Sequence, residues 1–143
     1  MLTFSFVARE RSRILVVDDD PDWLELITEL LMEEGHAVVS ATSGARALAL
    51  LPTFDPAVVL TDMQMPGMNG RELLTAIHAR SPDLPVVVLT GDRFQADADG
   101  FDEAFNVLLK PPPIEKLLAV VAGAAAEGAR RERAHRRNHR LSA

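Results

Sequence analysis

The 143-residue chain contains no cysteine, which removes disulfides, thiolate metal sites and cysteine nucleophiles at once. It also lacks any long hydrophobic run. The apolar start, Leu2 to Val7, is too brief to span a membrane. Arg9, Arg11 and Arg13 follow it, on the wrong side for a secretory signal. His36 and His78 have no partner histidine at metal-ligand spacing. Basic charge is scarce outside the C-terminal stretch: residues 122–143 carry a net +4, the remaining 121 residues −10. An acidic body excludes a nucleic-acid-binding face over most of its surface. What is present is 48% hydrophobic residues on a chain about one domain long, enough for a real core, with the cytoplasm as the expected location.

Apolar runs and helical patterns alternate along the chain. Ile14 to Val17 reads as a strand buried on both faces and stops abruptly at Asp18-Asp19-Asp20. Asp20 suits a helix cap and Pro21 the first helical position, with Trp23, Leu24, Ile27, Leu30 and Leu31 at helical spacing up to Gly35. Ala37 to Val39 predicts a second strand, and Gly44 to Leu51 a short helix ended by Pro52. Ala57 to Thr61 forms a third strand ending at Asp62, followed by the turn-rich loop Met65 to Gly70 and a helix over Arg71 to Ala79. Val86 to Thr90 is a fourth strand and Val107 to Leu109 a fifth. A fourth helix, weakly periodic, falls within residues 92–105, and Pro113 opens a fifth. The pattern predicts an α/β fold, a five-stranded parallel sheet doubly wound with helices on both faces. Function in such sheets sits at the carboxyl ends of the strands, near the reversal of strand order.

Those strand ends carry the informative side chains: Asp18, Asp19 and Asp20 after the first, Asp62 at the third, Thr90 at the fourth and Lys110 after the fifth. Two carboxylates about 4 Å apart repel by roughly 4 kcal/mol at an effective dielectric of about 20. Three acids in one crevice therefore need a cation, a shared proton, or both. All candidate ligands are oxygens, which selects a hard ion such as Mg²⁺ and leaves room for a phosphoryl group. A hydroxyl and an ammonium from Thr90 and Lys110 suit the remaining phosphoryl oxygens, and a carboxylate can accept the group covalently.

The blocks ILVVDDDPDW, VVLTDMQMPGMNG, VVVLTGD and LLKPPP, in that order, resemble the receiver domains of bacterial two-component response regulators. The resemblance covers residues 12–122, leaving an N-terminal extension, 1–11, and a basic stretch, 123–143, that continues the last helix or forms a disordered tail. It implies a flavodoxin-like (βα)5 fold with strand order 2-1-3-4-5. It further implies that Asp62 accepts phosphate from a phosphohistidine on a sensor histidine kinase or phosphotransfer protein. Asp19 matches the direct Mg²⁺ ligand, Asp18 its water-mediated neighbour, and the backbone carbonyl of Gln64 a third protein ligand beside Asp62. Thr90 matches the switch hydroxyl and Lys110 the phosphate-binding lysine, with a Lys110-Pro111 bond commonly cis. The surface of the fourth helix, fifth strand and fifth helix is the expected output face. Two departures stand out: Val107 occupies the position of the usual switch aromatic, with Phe105 two residues earlier, and residues 93–105 are atypical. Gln64 and Asp92 sit where dephosphorylation is tuned.

These readings predict a stand-alone, non-enzymatic switch without a DNA-binding domain or membrane span, acting through an unidentified partner protein and compatible with a homodimer. Two alternatives use the same residues. One is a binding-only pseudo-receiver that never takes phosphate. The other is a haloacid-dehalogenase-like phosphatase with Asp18 as nucleophile and Asp20 as acid/base. Taken singly, Thr90 and Lys110 are ordinary surface or strand-end residues, and Met63, Met65 and Met68 read as loop packing. The arginine-rich stretch from Arg130 to Arg140 reads as a solvated extension or a contact for an anionic partner; it lacks the apolar stripe of a membrane helix.

Overall fold

A computed structural model describes residues 12–92 and 104–141. Five strands, β1 (Arg13–Val17), β2 (Ala37–Ala41), β3 (Val58–Asp62), β4 (Val86–Thr90) and β5 (Asn106–Leu109), form one parallel sheet in the order β2-β1-β3-β4-β5. The expected fold and strand order are both observed. Four helices flank the sheet among the described residues: α1 (Pro21–Glu33), α2 (Gly44–Phe54), α3 (Gly70–Arg80) and α4 (Ile114–Leu141). The helix expected within residues 92–105 falls mostly outside the described residues.

Period-2 alternation splits each strand between two cores. Leu15, Val17, Val59, Val86 and Val88 pack under α2 and α3 with Leu48, Leu51, Leu73, Leu74 and Ile77. Ile14, Val16, Leu60, Val87, Leu89 and Leu108 pack under α1 and α4 with Leu24, Ile27, Leu31, Leu117 and Val121. Every residue of β3 and β4 is buried, as an interior parallel strand requires.

Local signals set the helix starts. The Asp20 carboxylate accepts from the Asp22 and Trp23 N–H groups, with Pro21 at the first helical position of α1. Asn69 and Glu72 form a reciprocal capping box at α3. Helix α2 departs from expectation, running through Pro52 to Phe54. Proline cannot donate to the Leu48 carbonyl one turn back. The Arg80 guanidinium from α3 does so instead, at 3.3 Å. The last helix continues to Leu141, well past the receiver-like blocks. Ala124, Ala125 and Gly128 are buried in it, and Gly128 lies so close to the Ala57 carbonyl that no β-carbon fits there.

Candidate functional site

Strand order reverses between β1 and β3, because β2 lies on one side of β1 while β3, β4 and β5 extend on the other. Asp18 follows β1 and Asp62 ends β3, so the two acids flank that reversal point. Parallel pairing keeps the strand ends level: Val17 faces Thr61, Asp62 faces Leu89 and Thr90 faces Leu109. Backbone bonds carry the alignment into the loops, from Met63 N–H to the Leu89 carbonyl (2.7 Å) and from Lys110 N–H to the Thr90 carbonyl (2.8 Å).

The result is a tight acidic cluster. Asp18, Asp19 and Asp62 each contribute a carboxylate oxygen, and these three atoms all lie within 4.8 Å of one another. Asp18 and Asp62 are buried and Asp19 is exposed. The Lys110 ammonium bridges the two buried acids, 2.9 Å from Asp62 Oδ1 and 3.3 Å from Asp18 Oδ2. Burial, reinforced by the charge of Asp62, pushes the Asp18 carboxyl up; the Asp20 N–H, donating to Asp18 Oδ1 at 2.9 Å, and Lys110 act against that. Burial works to lower the Lys110 pKa, but its hydrogen bond to Asp62 and the charges of Asp18 and Asp62 outweigh it and leave it raised.

Three carboxylates and one ammonium leave an excess of two negative charges, matched by one divalent cation. The donors are all hard oxygens, which suits Mg²⁺ and excludes soft-ligand chemistry. An open depression of about 440 Å³, lined by Met63, Gln64, Met65, Pro66 and Asn69, adjoins the end of β3.

The other expected residues are placed as follows. Thr90 is fully buried at the end of β4, and its hydroxyl accepts from the Asp92 N–H at 3.1 Å. Gln64 is exposed in the loop two residues past Asp62. Asp20 caps α1 rather than joining the acidic cluster. Val107 is half-buried against the α2–α3 core, whereas Phe105 precedes β5 and is 37% exposed.

Two residues gain a role that sequence reasoning did not assign. The Lys110 ammonium lies 5.9 Å from the centroid of the Trp23 ring, which sets an aromatic face beside the only lysine of the site. Gly70, read as part of a turn, packs directly on the end of β3: a β-carbon there would stand 2.6 Å from the Asp62 carbonyl oxygen and 2.8 Å from Met63 Cα. Only contact across the fold reveals either.

Residues 14–122 match the family described as "Response regulator receiver domain". The chain belongs to this family. Two curated relatives of the receiver are the transcriptional regulatory protein GlrR of Escherichia coli, 32% identical over 86% of this chain and 28% of that protein, and the DNA-binding response regulator MtrA of Mycolicibacterium smegmatis, 36% identical over 78% and 49%. The receiver thus spans about half or less of these relatives. Among solved structures, the response regulator TrrA of Thermotoga maritima, in complex with Mg²⁺ and BeF, has 30% identity and a TM-score of 0.74 over 79% of this chain and 98% of that one. A receiver domain from Clostridium thermocellum gives 32% identity and the same TM-score over 80% and 94%.

The receiver therefore belongs to two-component signalling, whose receiver domains bind Mg²⁺ at an acidic pocket and interact with histidine kinases or phosphotransfer proteins. Its Lys110-Pro111 peptide bond is cis, as the resemblance implied. No described helix is long and apolar enough to cross a membrane.

Proposed function

We propose that this receiver is a phosphorylatable aspartate switch with Asp62 as acceptor, within a receiver unit of residues 12–122 followed by a basic helical extension. The observation that carries the proposal is the Lys110 ammonium held between Asp18 and Asp62, with Asp19 completing the carboxylate cluster. A phosphohistidine on a sensor kinase or phosphotransfer protein is the donor. An Asp62 carboxylate oxygen attacks the phosphorus, the P–N bond breaks, and the imidazole leaves with the bonding pair and takes up a proton. Asp18, Asp19, Asp62 and the Gln64 backbone carbonyl would hold Mg²⁺, which supplies positive charge to the transferring phosphoryl oxygens. Lys110 then exchanges its carboxylate partners for phosphoryl oxygens, adding a second positive charge without reorganisation of the strand ends. Thr90, at the end of β4, offers a hydroxyl to the same oxygens.

Turning Thr90 from the Asp92 N–H toward the phosphoryl group biases the adjoining β4 loop, β5 and the start of α4, a population shift that a partner protein can read. The resulting domain is a switch rather than a turnover enzyme, and a cytoplasmic location fits its exchange with kinases. Asp20 argues against the phosphatase alternative, because its carboxylate is committed to the α1 cap.

Intact mass after incubation with acetyl phosphate and Mg²⁺ tests the reading. One added phosphoryl group is expected, absent from Asp62→Asn and from an EDTA control. No adduct with acetyl phosphate or with a phosphohistidine donor would leave a binding-only module in its place.

A further inference from the structure

The end of α4 is an arginine ridge that the switch does not use. Residues 129–141 hold six arginines and no lysine, against the single carboxylate of Glu132. At about 100° per residue, Arg130, Arg133, Arg136, Arg137 and Arg140 fall within an arc of roughly 120° on α4. The same helix buries Leu117, Val121, Ala124, Ala125 and Gly128 on a roughly opposite arc. Arg131, on the body side, bonds Glu127 at 3.0 Å and reaches the Asp83 carbonyl at 3.4 Å. The ridge thus points away from the acidic body. From Glu132 onward every residue of α4 is exposed. Arg130 and Arg136 are paired with Glu127 and Glu132, at 2.7 and 2.6 Å. Arg133, Arg137 and Arg140, spaced i, i+4, i+7, have no carboxylate partner among the described residues.

Three features of the ridge select its partner. Residues 129–140 contain no Val, Ile, Leu, Met, Phe or Trp, so the ridge has neither the apolar face of a membrane-surface helix nor a large apolar anchor to fill a pocket on a protein partner. Charge alone gives affinity only against a dense polyanion, where release of condensed counterions drives binding. The two aromatic rings of this stretch, His135 and His139, lie outside the arginine arc and face each other with centroids 5.2 Å apart, so the ridge itself offers unpaired bases no ring to stack on, which favours a duplex over a single strand. An isolated α-helix enters the major groove of B-form DNA, whereas the deep, narrow groove of duplex RNA excludes it. Arginine, with its planar fork of donors, is the side chain suited to phosphate. We infer that the distal part of α4 docks on the phosphate backbone of duplex DNA, without reading sequence.

The test is fluorescence anisotropy of a labelled mixed-sequence DNA duplex titrated with the full chain. Three free arginines predict a slope of log K against log salt near −3, so affinity falls about forty-fold between 50 and 200 mM salt. The Arg133→Ala/Arg137→Ala/Arg140→Ala variant should bind with a nearly flat salt dependence, while the corresponding triple lysine variant should stay within a few-fold of wild type. Both variants should keep wild-type helicity by circular dichroism and still accept phosphate at Asp62, since none of the three residues touches that site. No binding at 50 mM salt overturns the inference. So does binding that the triple alanine variant leaves unchanged, or capture by anionic phosphatidylserine vesicles with none by the duplex.

Discussion

Lys110 sets one ammonium against two buried carboxylates, at 2.9 and 3.3 Å, and its worth depends on what remains when it is gone. Lys110→Ala leaves Asp18 and Asp62 side by side with no cation between them. Losing one partner of a largely buried pair costs more than the pair itself contributes, here about 1–3 kcal/mol because Lys110 remains partly hydrated. Chemical denaturation in EDTA should show that loss, and Mg²⁺ should restore part of it. An unchanged midpoint in EDTA would mean that the two carboxylates are not under electrostatic load. Asp18, Asp62, Thr90 and Lys110 were legible because each interrupts a buried apolar run where a strand ends. Trp23 and Gly70 were not. Trp23 carries the spacing of a helix residue and Gly70 sits in a turn-rich run, and their second roles arise from side chains and backbone contributed by other segments.

Helix α2 shows how an element can outlast its own stop signal. Pro52 removes a donor from Leu48, and Arg80 supplies one from the neighbouring helix. Arg80→Met should therefore cost about 0.5–1 kcal/mol in the wild-type background. In a Pro52→Ala background the new backbone N–H takes over the Leu48 carbonyl, and the same substitution should cost less. A double-mutant cycle measures this coupling; additive costs would sever the link between Arg80 and the proline.

Helix α4 carries a second testable contact. The Arg130 hydrogen bonds above all, with those of Arg131, hold the Glu127 carboxyl at about 2, below its ordinary 4.5. A depressed folded-state value means that the contact stabilises α4 fully above pH 4.5 and is lost as pH falls toward 2. The helicity difference between wild type and Glu127→Gln should thus be present at neutral pH and vanish across that window. A difference that persists unchanged at the acid end would assign the effect to packing.

Over the whole molecule, charge is divided: the acidic body converges three carboxylates at one pole, while α4 carries the arginines outward past the sheet. A cation bound only by the folded state adds RT ln(1 + [Mg²⁺]/Kd), about 2.7 kcal/mol at a hundredfold excess over Kd. For a chain this size that is a rise in Tm of roughly 5–10 °C. Adding Mg²⁺ should produce it, equal ionic strength of NaCl should not, and Asp19→Asn should abolish most of it. An equal rise in Asp19→Asn would place the ion elsewhere.

The amino-acid sequence by itself determined the α/β alternation, the positions of the strand ends and the residue types found there, because buried parallel strands demand continuous β-branched runs and polar residues end them. Order along the chain also implied right-handed crossovers, and so the doubly wound sheet. Tertiary structure alone decided which polar groups meet. Asp18 and Lys110 are 92 residues apart and come within 3.3 Å only through the β2-β1-β3-β4-β5 order. It likewise decided that α2 survives Pro52 and that Gly70 must lack a side chain. It also sets which side of α4 faces the sheet, since each of these depends on a neighbour supplied by a distant segment.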